Sequence, residues 1–288
     1  MILILKSRMN LNQKVSVVYL RFKFSLLSLI SKKKAAASAL DLFRTPQTRN
    51  TRLPSQIFDK AEKLQFDIEG ITVHGYSWNH NVLKKVLIIH GFESSIVNFD
   101  HFVFPLMDKG YGVLAFDGPG HGRSGGTAIT APLFANMITM ICEKYGPVQS
   151  FMAHSFGGLT LSMALENMEH NESFKVVFIA PLTELKTAAE NFFHLLNLDE
   201  KVQKEFDELI TDLGGHSVEW YSVGRAIKNI KGQVLWLHDE EDDQTPVRDA
   251  LRVKKENPPN VKFLFTKGLG HSNIYSDKKV VQEIIDFL

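Results

Sequence analysis

Short apolar, β-branched runs alternate with longer stretches of helical periodicity through most of the chain. Gln65 to Trp78 alternates about Glu69-Gly70 and predicts a hairpin. Lys85–His90 (KVLIIH) is a continuous apolar run of the kind buried in a parallel sheet. The pattern then predicts a helix over Asn98–Lys109 with Gly110 as its C-cap, a strand over Tyr111–Asp117 and a helix over Ala131–Tyr145 ended by Gly146-Pro147. Strand, helix and strand follow at Val148–His154, Phe156–Met168 and Lys175–Ala180. Gln233–His238, Pro246–Glu256, Val261–Lys267 and Asp277–Leu288 repeat strand and helix twice more. This rhythm predicts an α/β fold with a mostly parallel sheet and helices on both faces.

Two segments stand outside the rhythm. Leu182–Lys231 is too long for one crossover helix and is acidic and aromatic, with Phe192, Phe193, Phe206, Trp220 and Tyr221. It reads as a helical cap inserted over the carboxyl ends of the strands, where open α/β sheets bind ligands. Extra packing helices without a substrate contact are the plainer alternative. Residues 1–60 form a basic arm, partly helical or disordered, with a loop-like stretch near residues 45–60. The core is then residues 61–181 and 232–288.

Charge sharpens this division. The arm carries 12 Lys/Arg against 2 Asp/Glu, while the whole chain of 288 residues nets +1, so the body is acidic. The near-neutral total argues against a dedicated nucleic-acid binder. The arm suits an anionic membrane surface or a fold back onto the body. Its longest uncharged piece, Phe24 to Ser31, is too short to span a bilayer, and the Lys32–Lys34 run spoils a secretory signal. The single cysteine, Cys142, forms no internal disulfide, which favours a reducing, cytoplasmic location, and the basic arm allows peripheral membrane contact.

The chemistry is concentrated in Met152-Ala153-His154-Ser155-Phe156-Gly157-Gly158, where a buried strand ends, a serine follows and glycines open a helix. A nucleophile elbow needs this context, with small residues two before and two after the serine, here Ala153 and Gly157. The plainer alternative is a serine N-cap in a strand–helix turn. A serine needs a base. His271 follows the last strand across Gly268-Leu269-Gly270 and reaches the same sheet edge. An orienting acid should lie between them, and Asp239-Glu240-Glu241-Asp242-Asp243 offers five carboxylates that spacing alone does not rank. The same run also suits a solvated loop or a weak cation site. The backbone N–H groups of Phe92 and Phe156 stand where an oxyanion hole would need them.

The runs VLIIHGFESS, VLAFDGPGHGRSGG, MAHSFGG, LWLHDEEDDQTP and GLGHSNIY together resemble the α/β-hydrolase superfamily, in its esterase, lipase and serine aminopeptidase branch, over residues 65–288. The resemblance implies Ser155, Asp242 and His271 as a catalytic triad. Asp242 is four residues after His238 and four before Pro246, as in that branch, although Asp239 stands where the family often has glycine. It implies a serine hydrolase, preferentially of carboxylic esters, with thioester or amide as variants, and the apolar, aromatic cap suggests a small or medium hydrophobic acyl group as the substrate. No cofactor or metal is implied. Gly118-Pro119-Gly120-His121-Gly122 is no dinucleotide loop, because the third glycine of that motif falls on Arg123. A non-catalytic binding or regulatory protein on the same scaffold, or a membrane-surface protein defined by its arm, are the competing classes.

Overall fold

A computed structural model describes residues 11–50 and 52–288. Residues 1–10 of the basic arm, and residue 51 within it, lie outside the described residues. Eight strands form a sheet in the order β1-β2-β4-β3-β5-β6-β7-β8. β1 (Glu62–Ile68) and β2 (Ile71–Trp78) make the antiparallel hairpin, turning at Glu69-Gly70 with both residues at positive φ. β2 is also antiparallel to β4 (Gly112–Phe116). β3 (Lys85–Ile89), β5 (Ser150–His154), β6 (Lys175–Ile179), β7 (Gln233–Asp239) and β8 (Val261–Thr266) continue in parallel. The mostly parallel α/β sheet expected from the alternation is the fold observed.

The helices in chain order are α1 (Leu11–Ile30), α2 (Lys32–Arg44), α3 (Asp100–Asp108), α4 (Ala131–Tyr145), α5 (Phe156–Asn167) and α6 (Leu185–Leu196). They continue as α7 (Glu200–Gly214), α8 (Val223–Ala226), α9 (Val247–Lys255), α10 (Gly270–Asn273) and α11 (Lys278–Phe287). Where the pattern predicts one helix from Asn98, a 3₁₀ turn over Ile96–Phe99 comes first, capped by the Ser95 hydroxyl.

Successive strand residues enter opposite faces. Leu87 and Ile89 join Phe151, Phe178 and Trp236 under α4, α5 and α9, whereas Val86 and Ile88 join Met152, Val177 and Leu235 under α3 and α11. Both layers are apolar, and that is why these strands read as unbroken apolar runs.

The arm and the segment between β6 and β7 are packed together. Phe43 of α2 inserts between Phe192 and Phe206, with ring centroids 5.1 and 5.5 Å away, and Phe206 meets Phe193 edge-on at 4.9 Å. Asp199 caps α7 through the N–H groups of Lys201 and Val202 while its other oxygen takes the Lys32 ammonium at 2.8 Å. The irregular stretch that follows α2 is held along its length. Ile129 N–H donates to the Arg44 carbonyl, Gln47 N–H to Glu93, and the Arg49 guanidinium to the carbonyls of Gly122 and Ser124. The Trp78 indole N–H then donates to the Ile57 carbonyl at 2.8 Å.

Phe206 is fully buried where arm and insertion meet. Phe206→Ala is expected to destabilise the protein by about 3–5 kcal/mol, the usual cost of an emptied aromatic site. Urea unfolding measures it, and a loss below about 1 kcal/mol would show that this junction contributes little.

Candidate active site

β5 ends at His154 and α5 starts at Phe156, so one residue turns strand into helix. That residue, Ser155, has φ 55° and ψ −124°. Such a conformation costs a non-glycine residue about 1–3 kcal/mol and persists only where its surroundings impose it. Here Ser155 N–H donates to the Ile179 carbonyl at 3.1 Å, and the Ser155 carbonyl accepts Gly158 N–H and Leu182 N–H, both at 2.9 Å. The flanks leave no space for side chains. A Cβ on Gly157 would stand 2.5 Å from the His90 carbonyl oxygen, and one on Gly158 2.7 Å from Pro181 Cβ. One on Gly91 would stand 2.8 Å from Ser155 Cβ.

His271 lies in α10, beyond β8, and its ring stands between the other two predicted residues. Its Nε2 is 2.9 Å from Ser155 Oγ, and its Nδ1 is 2.8 Å from Asp242 Oδ2. Burial separates the five carboxylates that spacing left unranked. Glu240 and Glu241 are exposed, whereas Asp239 and Asp242 are buried. Asp239 faces elsewhere, accepting the Thr266 hydroxyl at 2.8 Å and the N–H groups of Glu241 and Leu269 at 3.0 Å. A carboxylate at that position therefore ties the β7 and β8 loops together instead of disturbing the turn. Asp242 accepts the N–H groups of Gln244 and Thr245 on Oδ1, each at 2.8 Å, and the Thr245 hydroxyl on Oδ2. Burial pushes its carboxyl up, but the hydrogen bond and charge of His271 outweigh this and hold it below the usual carboxylate range. Asp242 is thereby kept as an acceptor for His271 Nδ1–H, leaving the Nε2 lone pair toward Ser155.

Phe92 and Phe156 also adjoin the serine, their rings meeting edge-on at 6.1 Å. Phe156 supplies the first N–H of α5, which has no partner four residues back within the helix. The Phe92 N–H is oriented by a residue the sequence reading passed over. His90 Nδ1–H donates to the Gly91 carbonyl at 2.7 Å, while its Nε2 accepts Gly118 N–H at 2.8 Å. In a trans peptide the following N–H points opposite to that carbonyl, so His90 sets the direction of Phe92 N–H.

Three more histidines brace the site in the same way. His121 accepts Glu93 N–H, His154 Nε2–H donates to the His271 carbonyl at 3.0 Å, and His238 Nε2–H donates to the Thr245 carbonyl at 2.7 Å. Strand-end histidines carry no distinguishing sequence signal; their proximity to Ser155 and Asp242 along the chain was the one available hint.

A cavity opens beside Ser155, and its walls come from three parts of the chain. Phe92, Phe156 and Ile129 line it from the core; Leu182, Leu185, Ile210 and Tyr221 from the segment after β6; and Leu40, Leu42 and Phe43 from α2. The lining is chiefly apolar and suits a hydrophobic group. The arm's share in it had no signature in the sequence.

A model of the family described as serine aminopeptidase, S33, matches residues 80–225, half of the chain. An uncharacterized protein of Bacillus subtilis (strain 168), YqkD, is 23% identical over 291 residues, covering 94% of this chain and 93% of the relative. A probable serine hydrolase of Drosophila melanogaster is 25% identical over 238 residues, covering 78% and 68% respectively. Among solved structures, the Pyrococcus furiosus esterase Pf2001 shares the fold with a TM-score of 0.63 and 19% identity, over 85% of this chain and 97% of that one.

Burial holds His90 and His238 below the ordinary histidine range, and takes His121 and His154 down to about 3. Above about pH 6.5 the folded and unfolded chains are both neutral at these rings. As pH falls from there toward 3, the unfolded chain takes up protons that the folded one refuses. Stability is therefore present above the unfolded value and lost below it, by up to about 1.4 kcal/mol per pH unit for each ring. The melting temperature is expected to fall steeply from pH 6.5 to 4, with net proton uptake on unfolding at pH 5. A flat melting temperature between pH 7 and 5 would contradict this.

Proposed function

This chain belongs to the serine aminopeptidase S33 family of α/β-hydrolases and is a serine hydrolase, and from that premise we propose that it hydrolyses carboxylic esters of hydrophobic acids through an acyl-enzyme on Ser155. The observation that carries this reading is the His271 ring, with one nitrogen 2.8 Å from Asp242 and the other 2.9 Å from Ser155. In the first half-reaction Ser155 Oγ attacks the acyl carbon as its proton passes to His271 Nε2. Asp242 stabilises the imidazolium that forms. The N–H groups of Phe92 and Phe156 hold the oxyanion, at the positive end of α5. Collapse expels the alcohol, which leaves with the proton from His271. Water then attacks the acyl-enzyme, giving its proton to His271; that proton returns to Ser155 as the acid departs.

The apolar lining supports a hydrophobic acyl group as the part bound in the cavity. α2 belongs to this specificity, because half-buried Leu42 lines the cavity.

A fluorophosphonate probe is expected to label the wild type and not Ser155→Ala; equal labelling would remove Ser155 as the nucleophile. Asp242→Asn is expected to lower kcat on p-nitrophenyl butyrate by about 10⁴, since the ring loses the partner that fixes its tautomer. Retained turnover in Asp242→Asn, with loss in Glu241→Gln instead, would move the acid to Glu241. Leu42→Trp is expected to reduce kcat/KM for p-nitrophenyl octanoate about tenfold relative to the acetate ester, as the cavity narrows. An unchanged ratio would separate the arm from substrate selection.

A further inference from the structure

Helix α1 has two apolar faces, and the fold covers one of them. At about 100° per residue, Leu20, Phe24 and Leu27 fall on the side packed against α2 and α6. Arg21 fastens the same side by donating to the Leu195 carbonyl at 2.9 Å. On the opposite side Val15, Val18, Tyr19, Phe22, Leu26 and Leu29 make a stripe about 100° wide. Every one is exposed; Phe22 is 64% and Leu29 80% accessible. An apolar stripe of this length on a charged protein marks an interaction surface.

The charge around the stripe selects its occupant. Exposed Lys14 and Lys23 border its two edges, and exposed Lys33 and Lys34 follow at the corner into α2. Residues 11–40 contain six Lys/Arg and no Asp/Glu. Pairing α1 with α1 of a second copy would bring two uniformly cationic helices together with no counter-charge in either. No described helix is long and apolar enough to cross a membrane. An apolar stripe edged by lysines is the pattern of a helix lying in a lipid interface.

We propose that α1 docks this protein on the surface of an anionic lipid bilayer, with the stripe among the acyl chains and the bordering lysines among the headgroups. The inner face of α1 is anchored to the body, so docking requires no helix to leave the fold. It also sets the bilayer one helix away from the cavity, because Ser31 joins α1 directly to α2.

Flotation of the full chain with vesicles tests this. Binding is expected to vesicles of equal parts phosphatidylcholine and phosphatidylglycerol, and to weaken about tenfold or more on pure phosphatidylcholine or in high salt. The exposed triple variant Val18→Ser/Phe22→Ser/Leu26→Ser is expected to lose about tenfold or more of that binding. Its melting temperature and p-nitrophenyl acetate turnover should match the wild type, which separates docking from both folding and catalysis. Lys14→Glu/Lys23→Glu should weaken binding to anionic vesicles only. Absence of wild-type binding, or equal binding by the triple variant, would overturn the proposal. So would a wild-type dimer in sedimentation equilibrium that the triple variant converts to monomer without any vesicle binding.

Discussion

Ser155 keeps its positive φ because β5, α5 and the loops after β3 and β6 close on it from several sides. The strain is local, but the closure that sustains it is not. Gly91 and Gly157 let the loop after β3 contact the turn and Gly158 lets the loop after β6 do so, and a side chain at any of them would push one of these pieces away. The parallel order of β3, β5, β6, β7 and β8 supplies those pieces, since every one of these strands ends at the same sheet edge. His271 and Asp242 reach the serine through the same convergence.

Neutral histidines stabilise this edge. A neutral imidazole carries one donor and one acceptor, and His90 and His121 use both to hold loop peptide groups at set angles. Burial enforces the neutral form, so the orientation of the site and the refusal of protons have one cause. Asp117 plays a related part from the β4 end, accepting the Ser95 hydroxyl and the N–H groups of Ile96 and Arg123. Gly122 answers to that carboxylate: a Cβ there would fall on its oxygens.

Much of this was legible from the letters alone. Strands buried on both faces read as apolar runs, and the elbow around Ser155 reads through Ala153 and Gly157, because steric exclusion leaves few residue types. The carboxylate that meets His271 was not legible from spacing, because what distinguishes Asp242 from Glu241 is burial under Thr245 and His271, a tertiary fact. The family resemblance was needed to single it out. The role of α2 was hidden for a similar reason. Leu40, Leu42 and Phe43 look like the inner side of any amphipathic helix, and only packing reveals that part of this side faces a cavity. His90 and His154 were absorbed into the strands they end.

Much of the cavity wall comes from chain segments outside the sheet edge that carries Ser155, Asp242 and His271. Leu42 and Phe43 lie far in sequence from Leu182, Leu185 and Ile210, yet they share one lining. Change in either segment can therefore reshape the cavity while the sheet edge stays intact. Because Phe43 is wedged between Phe192 and Phe206, the two segments change shape together, away from the three side chains that meet at the sheet edge.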